Sequence, residues 1–237
     1  MSATHTLALP DGEQIPYQLE RRSRSTIGLK ISASGLVVHA PKRVSQSMLE
    51  NALRSKADWI RKKLLQIGDL LPAPMAWEDN ATLHLLGNPV ILRLSSSDRN
   101  RQPEFGLGML HLRLVDVTDA GAVEKKVIQW YRKQALLDFA RRLELLSARL
   151  GVALPKLYLS NAQSRWGSCN SKKEIRINWR LLQAPPHIIN YVICHELAHL
   201  KEMNHSAKFW AIVESLCPEY RRIEKELRHL SPRLHQF

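Results

Sequence analysis

Apolar positions recur along the chain with two different periods, and the period changes near the middle. Over residues 7–40 the pattern is short and strand-like. Residues 7–9 and 15–19 flank Pro10-Asp11-Gly12, and residues 27–31 and 36–40 flank Ser32-Ala33-Ser34-Gly35, so two hairpins are expected. Ser45 or Ser47 can cap a helix that runs to about Ile67, with Leu49, Leu53, Ile60, Leu64 and Ile67 on one face. A Pro-rich break follows at Leu71-Pro72-Ala73-Pro74. A third hairpin is expected from residues 82–86 and 90–94 around Gly87-Asn88-Pro89. Residues 95–102 read as a polar loop, and 110–114 as a half-buried strand.

The second half is mostly helical. From 120 to 150, Val127, Tyr131, Ala135, Phe139, Leu143, Leu146 and Leu150 form one stripe, and Gly151 ends it. A strand at 157–160 is followed by a hairpin whose second arm alternates Ile175, Ile177 and Trp179 with Arg176, Asn178 and Arg180. Pro185-Pro186 opens the next helix, residues 188–193 supply its apolar body, and further helices are expected over 206–216 and 220–230. No internal repeat is evident. The reading is an α+β chain in two parts: a β-rich N-terminal region with one helix over 1–118, and a compact domain over 119–237.

Candidate chemistry sits on the helix that Pro185-Pro186 opens. His195, Glu196 and His199 form H-E-x-x-H, and two histidines four apart on a helix face the same way and can share one zinc ion. Glu196 stands about 100° round the helix from His195, placed to act as general base on a water at that metal. If Asn204 takes the left-handed conformation, the chain turns and His205 faces back as third ligand; Glu214 on the following helix is the alternative. The plainer reading is a core helix whose histidines are merely hydrogen-bonded. The hairpin before this helix can pair its exposed edge with an extended peptide, or can be structure alone.

Composition narrows the setting. The chain has 237 residues, 44% hydrophobic and 24% charged, which is ordinary for a folded protein. A formal charge of +13 and a pI near 10.0 suggest an anionic partner: nucleic acid, a nucleotide or an acidic protein. Three cysteines with no C-x-x-C argue against a disulfide framework and for a reducing cytoplasm. No run of about 18 apolar residues occurs, and no signal pattern opens the chain, so no membrane partner is expected.

Arg165-Trp166-Gly167-Ser168-Cys169, the hairpin, Asn178-Trp179-Arg180-Leu181, His195-Glu196-Leu197-Ala198-His199, and Asn204-His205-Ser206 followed by Phe209-Trp210 together resemble the YgjP-like metallopeptidases. These are compact bacterial proteins related to SprT and WLM-type zinc proteases. The resemblance implies a zincin-like catalytic domain, zinc on His195, His199 and His205, and Glu196 as catalytic base. The interval from His199 to His205 matches that of metzincins, but Glu202 stands where those proteins carry Gly. Arg165, Trp166, Arg176, Asn178 and Tyr191 are the candidate substrate-binding residues, with Arg165, Tyr191 or Arg176 as oxyanion donor. A peptide or protein substrate is the first expectation. The second is nucleotide hydrolysis by the same metal, with Arg165, Lys172, Lys173, Arg176 and Arg180 around the cleft. A nucleic-acid-binding module with structural zinc is the third, and the presence of Glu196 counts against it.

Overall fold

The computed structural model describes residues 4–9, 11–32, 35–68 and 75–236. The chain forms two compact units, Met1–Ala73 and Pro74–Phe237. The Pro-rich break expected at 71–74 lies outside the described residues.

In the first unit, β1 (Thr4–Ala8) and β2 (Gln14–Arg22) form one hairpin, and β3 (Gly28–Ser32) and β4 (Gly35–Pro41) the other. The hairpins join through a parallel pairing of β2 with β4, giving the order β1-β2-β4-β3. Strand alternation turns Ile15, Tyr17, Leu36, Val38 and Ala40 to one face, where they share a core with Leu49, Leu53 and Ile60. Those three come from two helices, α1 (Gln46–Arg54) and α2 (Ala57–Gly68), where one long helix is expected from sequence. Ser45 caps α1, its Oγ accepting from the Met48 amide at 3.3 Å. The interruption falls at Ser55, whose hydroxyl donates back to the Ala52 carbonyl at 3.0 Å and offers the backbone an alternative to continuing the helix.

The second unit opens with a sheet of the same design. β5 (Thr82–Leu85), β6 (Asn88–Ser96), β7 (Glu104–Gly106) and β8 (Met109–Leu114) lie in the order β5-β6-β8-β7, with β6 and β8 parallel. Leu83, Val90, Leu92, Leu110 and Leu112 pack in one core with Val123, Val127 and Tyr131 of α3 (Ala120–Leu150). This sheet, grouped by the sequence reading with the N-terminal region, therefore shares its hydrophobic core with the long helix. α3 has the expected limits. Asp119 accepts from the Ala122 amide at 3.0 Å, and Gly151 stops the helix in the left-handed conformation, φ 68° and ψ 44°.

A three-stranded sheet follows, β9 (Leu157–Ser160), β10 (Gly167–Cys169) and β11 (Ile175–Asn178), in the order β10-β11-β9. β11 ends two residues short of the expected strand because Asn178 Oδ1 accepts from the Arg180 amide at 3.1 Å and starts a 3-10 helix, Trp179–Gln183. The remaining elements are α4 (Pro186–Ala198), α5 (Ala207–Leu216) and α6 (Tyr220–Leu234). α4 is almost entirely buried and is tied to α3 by Arg142, which forks Asp138 at 2.6 and 3.1 Å and donates to Asn190 Oδ1 at 2.8 Å. Among the described residues, no helix is long and apolar enough to cross a membrane.

Candidate active site

Proline at the first positions of α4 sets the register of everything after it. Ile188, Ile189, Val192, Ile193 and Leu197 anchor the helix in the core, so its last turn presents His195 and His199 together, ring centroids 5.2 Å apart. The chain then turns back through 200–206 with Lys201 N donating to Ala198 O at 3.1 Å and Ser206 N to Asn204 O at 2.8 Å. Asn204 is not among the residues with positive φ, so the left-handed turn expected there is replaced by this run of tight backbone bonds. Ser206 caps α5, accepting from Phe209 N at 3.4 Å, and His205 is thereby held just ahead of that helix.

The result is a convergent set of three imidazoles. His195, His199 and His205 each offer a ring nitrogen, and these atoms lie within 4.8 Å of one another. His195 Nε2 and His205 Nε2 are 3.1 Å apart. All three rings rest on buried Phe209, at centroid distances of 4.9, 4.5 and 4.6 Å. His199 Nδ1 faces the Glu202 carbonyl at 3.2 Å, an arrangement that puts the proton on Nδ1 and leaves Nε2 free to ligate. Burial, then the neighbouring His199 and His205, push the His195 imidazole down to about 4, so it is neutral and a competent ligand near pH 7. This donor set fits a divalent cation. Glu214, the alternative third ligand, is exposed on α5 and outside the group.

Glu196 follows His195 on α4 and is only 5% exposed. Burial drives its carboxyl up to about 8, with Arg165 pulling the other way by charge. Its Oε2 has no hydrogen-bond partner among the described residues. The carboxyl fits there because residue 167 is glycine. A Cβ at 167 would stand 2.4 Å from Glu196 Oε1 and 2.6 Å from Cγ. Gly167 therefore lets β10 lie directly against the carboxyl.

A cavity of about 310 Å³ over the histidines is lined by Gly167, Ser168, Cys169, His195, Glu196, His199, Met203 and His205. None of the five candidate substrate-binding residues is in that lining. Arg165 reaches Glu196 only through its charge. Trp166 donates from Nε1 to Ser231 Oγ at 2.9 Å and stacks on His235 at 4.2 Å, fastening β10 to α6. Arg176 lies over the Tyr158 ring at 5.1 Å. Asn178 is fully buried, donating to Ala162 O at 2.8 Å and capping the 3-10 helix. Tyr191 is buried with its ring 6.2 Å from His195, and burial raises its phenol above the ordinary range. Arg180, assigned to the cleft by the nucleotide reading, is turned inward over Trp179 at 4.4 Å. Conversely, sequence reasoning assigned no site role to Gly167, Ser168, Cys169 and Met203, and read Phe209 as core alone. The available signal was that Gly167, Ser168, Cys169 and Phe209 stand in the motifs that carry the family resemblance, with Met203 next to one of them.

The family described as "YgjP-like, metallopeptidase domain" matches residues 25–230. A UTP pyrophosphatase of Escherichia coli (strain K12) is 31% identical over 72 residues, which is 30% of this chain and 43% of that protein, so the match spans less than half of the curated relative. Among solved structures, the metallopeptidase zymogen of Pyrococcus abyssi abylysin has 27% identity and a TM-score of 0.36, over 38% of this chain and 90% of that one. The zymogen of Methanocaldococcus jannaschii jannalysin has 21% identity and a TM-score of 0.33, over 38% and 96%.

Proposed function

The chain belongs to the YgjP-like metallopeptidase family, and from that membership we propose that it hydrolyses peptide bonds with zinc held by His195, His199 and His205 and with Glu196 as general base. One observation carries this reading. A single cavity brings together three imidazole donors and a buried carboxyl whose proton affinity is raised to about 8. When bound, a divalent cation would supply a Lewis acid for activating water and polarising a carbonyl.

The protein's own residues supply the rest. Glu196 accepts a proton from the attacking water and delivers it to the leaving amine, and a carboxyl poised near neutrality suits both transfers. A nearby dication favours the ionised form, so in the loaded site Glu196 stands as a carboxylate ready to accept a proton. Gly167 allows the carboxyl to sit against β10, and Phe209 holds the three rings in mutual register. Arg165 remains the candidate oxyanion donor, since its charge already acts at Glu196. The cytoplasm is the compartment we assign, in keeping with free Cys169, Cys194 and Cys217.

Metal analysis by mass spectrometry on the wild type, Glu196→Gln and His199→Ala tests the site. Zinc is expected in the first two and lost in the third, with peptide turnover in the wild type alone. Undiminished turnover by Glu196→Gln would remove that residue from the mechanism, and no metal in any of the three after zinc is added would remove the metal reading. A second reading, hydrolysis of a nucleoside triphosphate, rests on the partial similarity to a protein named UTP pyrophosphatase. Pyrophosphate release from UTP by the zinc-loaded wild type, without cleavage of any peptide in a diverse library, would favour it.

A further inference from the structure

Beside the histidine cavity lies a larger hollow of about 690 Å³. The same two stretches of chain bound both. Cys169 lines the small cavity and, three and four residues on, Lys172 and Lys173 line the large one. At the end of α4, His199 lines the small cavity and Lys201 the large one. The third wall of the hollow is residues 152–156, with Leu154 60% exposed and Lys156 at its end.

The chemistry of this wall is specific. Four lysines share the lining with the apolar Val152, Ala153, Leu154, Pro155 and Leu200, and Glu174 is the one carboxylate in it. That carboxylate is already engaged: Asn170 donates to it at 2.8 Å, and this bond, followed by the charges of Arg176, Lys172 and Lys156, holds it below the usual range. Lys156, Lys172 and Lys173 form no salt bridge among the described residues, while Lys201 is oriented by donating to Leu150 O at 2.8 Å. The turn that carries Lys172 and Lys173 is well braced. Asn170 Oδ1 accepts from the amides of Lys172 and Glu174, both at 3.0 Å, and Lys173 sits at φ 60°. Positive charge is thus displayed on an ordered turn next to the reacting centre.

We infer that this hollow is a specificity subsite for an acidic side chain, flanked by an apolar one, of an extended peptide whose scissile bond lies at the histidine cavity. The inference rests on the peptidase reading. A polyphosphate carries charge along its whole length, with nothing to match exposed Leu154 and the other apolar residues of the lining or the fixed carboxylate of Glu174. Aspartate or glutamate beside an apolar residue matches both kinds of surface.

The test uses the full-length, zinc-loaded Glu196→Gln protein, which binds without turning over. Peptides carrying a neutral dye, one with a Leu-Glu-Asp segment and one with Leu-Gln-Asn in its place, are titrated by fluorescence anisotropy at low salt. The acidic peptide should bind about tenfold tighter, an effect that half-molar salt removes. Adding Lys156→Gln, Lys172→Gln and Lys173→Asn together should abolish the preference; asparagine is chosen at 173 because it tolerates positive φ. Equal binding of the two peptides, or a preference that survives in this variant, would overturn the subsite. Sodium tripolyphosphate displacing the acidic peptide more tightly than that peptide binds would also overturn it, giving the hollow to phosphate. A parallel assay of turnover keeps the two readings apart, comparing the catalytically intact protein with its triple-lysine variant. Cleavage by the catalytically intact protein without acidic selectivity defeats the subsite alone, whereas no cleavage of any peptide by that protein defeats the peptidase reading beneath it.

Discussion

A methyl group at residue 167 has no room while Glu196 holds its place, which makes Gly167→Ala a sharp test of the site. The added Cβ would stand 2.4, 2.6 and 2.7 Å from Oε1, Cγ and Cδ of Glu196. Ordinary contacts begin near about 3.5 Å, so the carboxyl must retreat by about 1 Å. It is 5% exposed and cannot simply swing into solvent. Overpacking of this kind costs about 1–3 kcal/mol. Gly167 is not among the positive-φ glycines, so alanine gains about 0.4–1 kcal/mol by restricting the unfolded chain. The net loss expected in urea unfolding of metal-free protein is therefore about 1–2 kcal/mol. Activity should suffer more, because a general base misplaced by about 1 Å can cost about 100-fold in rate. Metal content should be unchanged, since the imidazoles are not the atoms being struck. The decisive comparison is a double-mutant cycle. In a Glu196→Ala background the colliding atoms are gone, and Gly167→Ala should then be neutral or slightly stabilising. An equal loss of stability in both backgrounds would refute the proposed conflict.

Three further outcomes follow from the same geometry. In metal-free protein, Glu196 keeps its proton to about pH 8, whereas an ordinary carboxyl loses it near 4.5, so the folded state binds the extra proton between those values. This term lowers stability as pH rises, by up to about 1.4 kcal/mol per unit, while the depressed His195 imidazole acts in the opposite sense below pH 6.5, so the net fall is expected between pH 6.5 and about 8 and Glu196→Gln should remove it; parallel urea-unfolding curves against pH for the two proteins would contradict the burial of this carboxyl. Phe209→Ala should cost about 3–5 kcal/mol of stability, while Phe209→Leu, keeping much of the volume, should still weaken zinc retention against a chelating dye because the three rings lose their common support. Arg142→Met should destabilise by about 2 kcal/mol in thermal or urea unfolding, as it leaves Asp138, whose side chain is 13% exposed, with the longer Arg141 contact at 3.5 Å and removes the bond from α3 to Asn190 of α4; a change below about 0.5 kcal/mol would show that the fork contributes little.

Legibility from sequence varied with the kind of signal each element carries. α3 was readable to the residue because a long apolar stripe runs between an acidic cap and a terminal glycine, and both ends are local chemistry. The first helical region was misread as one helix because its apolar face continues across Ser55, while the interruption depends on a single serine bond back to Ala52. β7 has three exposed residues and so leaves no hydrophobic alternation to detect. Its place at the sheet edge comes from pairing with β8, which no local pattern encodes. The shared order of the two four-stranded sheets was equally hidden. The parallel pairings β2·β4 and β6·β8 bring together strands from separate hairpins, and side-chain alternation looks the same whichever neighbour a strand chooses.

The site divides along the same line. His195, Glu196 and His199 were legible because helical spacing alone makes them share a turn. His205 was legible as a third donor, although the expected device, a left-handed Asn204, is absent and tight backbone bonds do its work. The substrate-side candidates lie outside the lining of the histidine cavity, and the reason sequence did not show this is physical. Arg165, Trp166, Arg176, Asn178 and Tyr191 are polar or aromatic residues close in sequence to the motif, a criterion that cannot tell a residue lining a cavity from one holding its wall in place. Asn178 and Trp166 belong to the second kind: one caps a 3-10 helix, and the other pins β10 to α6. Gly167 was overlooked for the opposite reason, since its contribution is the space it leaves for Glu196. Glycines in a strand beside a catalytic helix therefore merit the same scrutiny as charged residues, because a close approach of backbone to a buried carboxyl is available only where Cβ is missing.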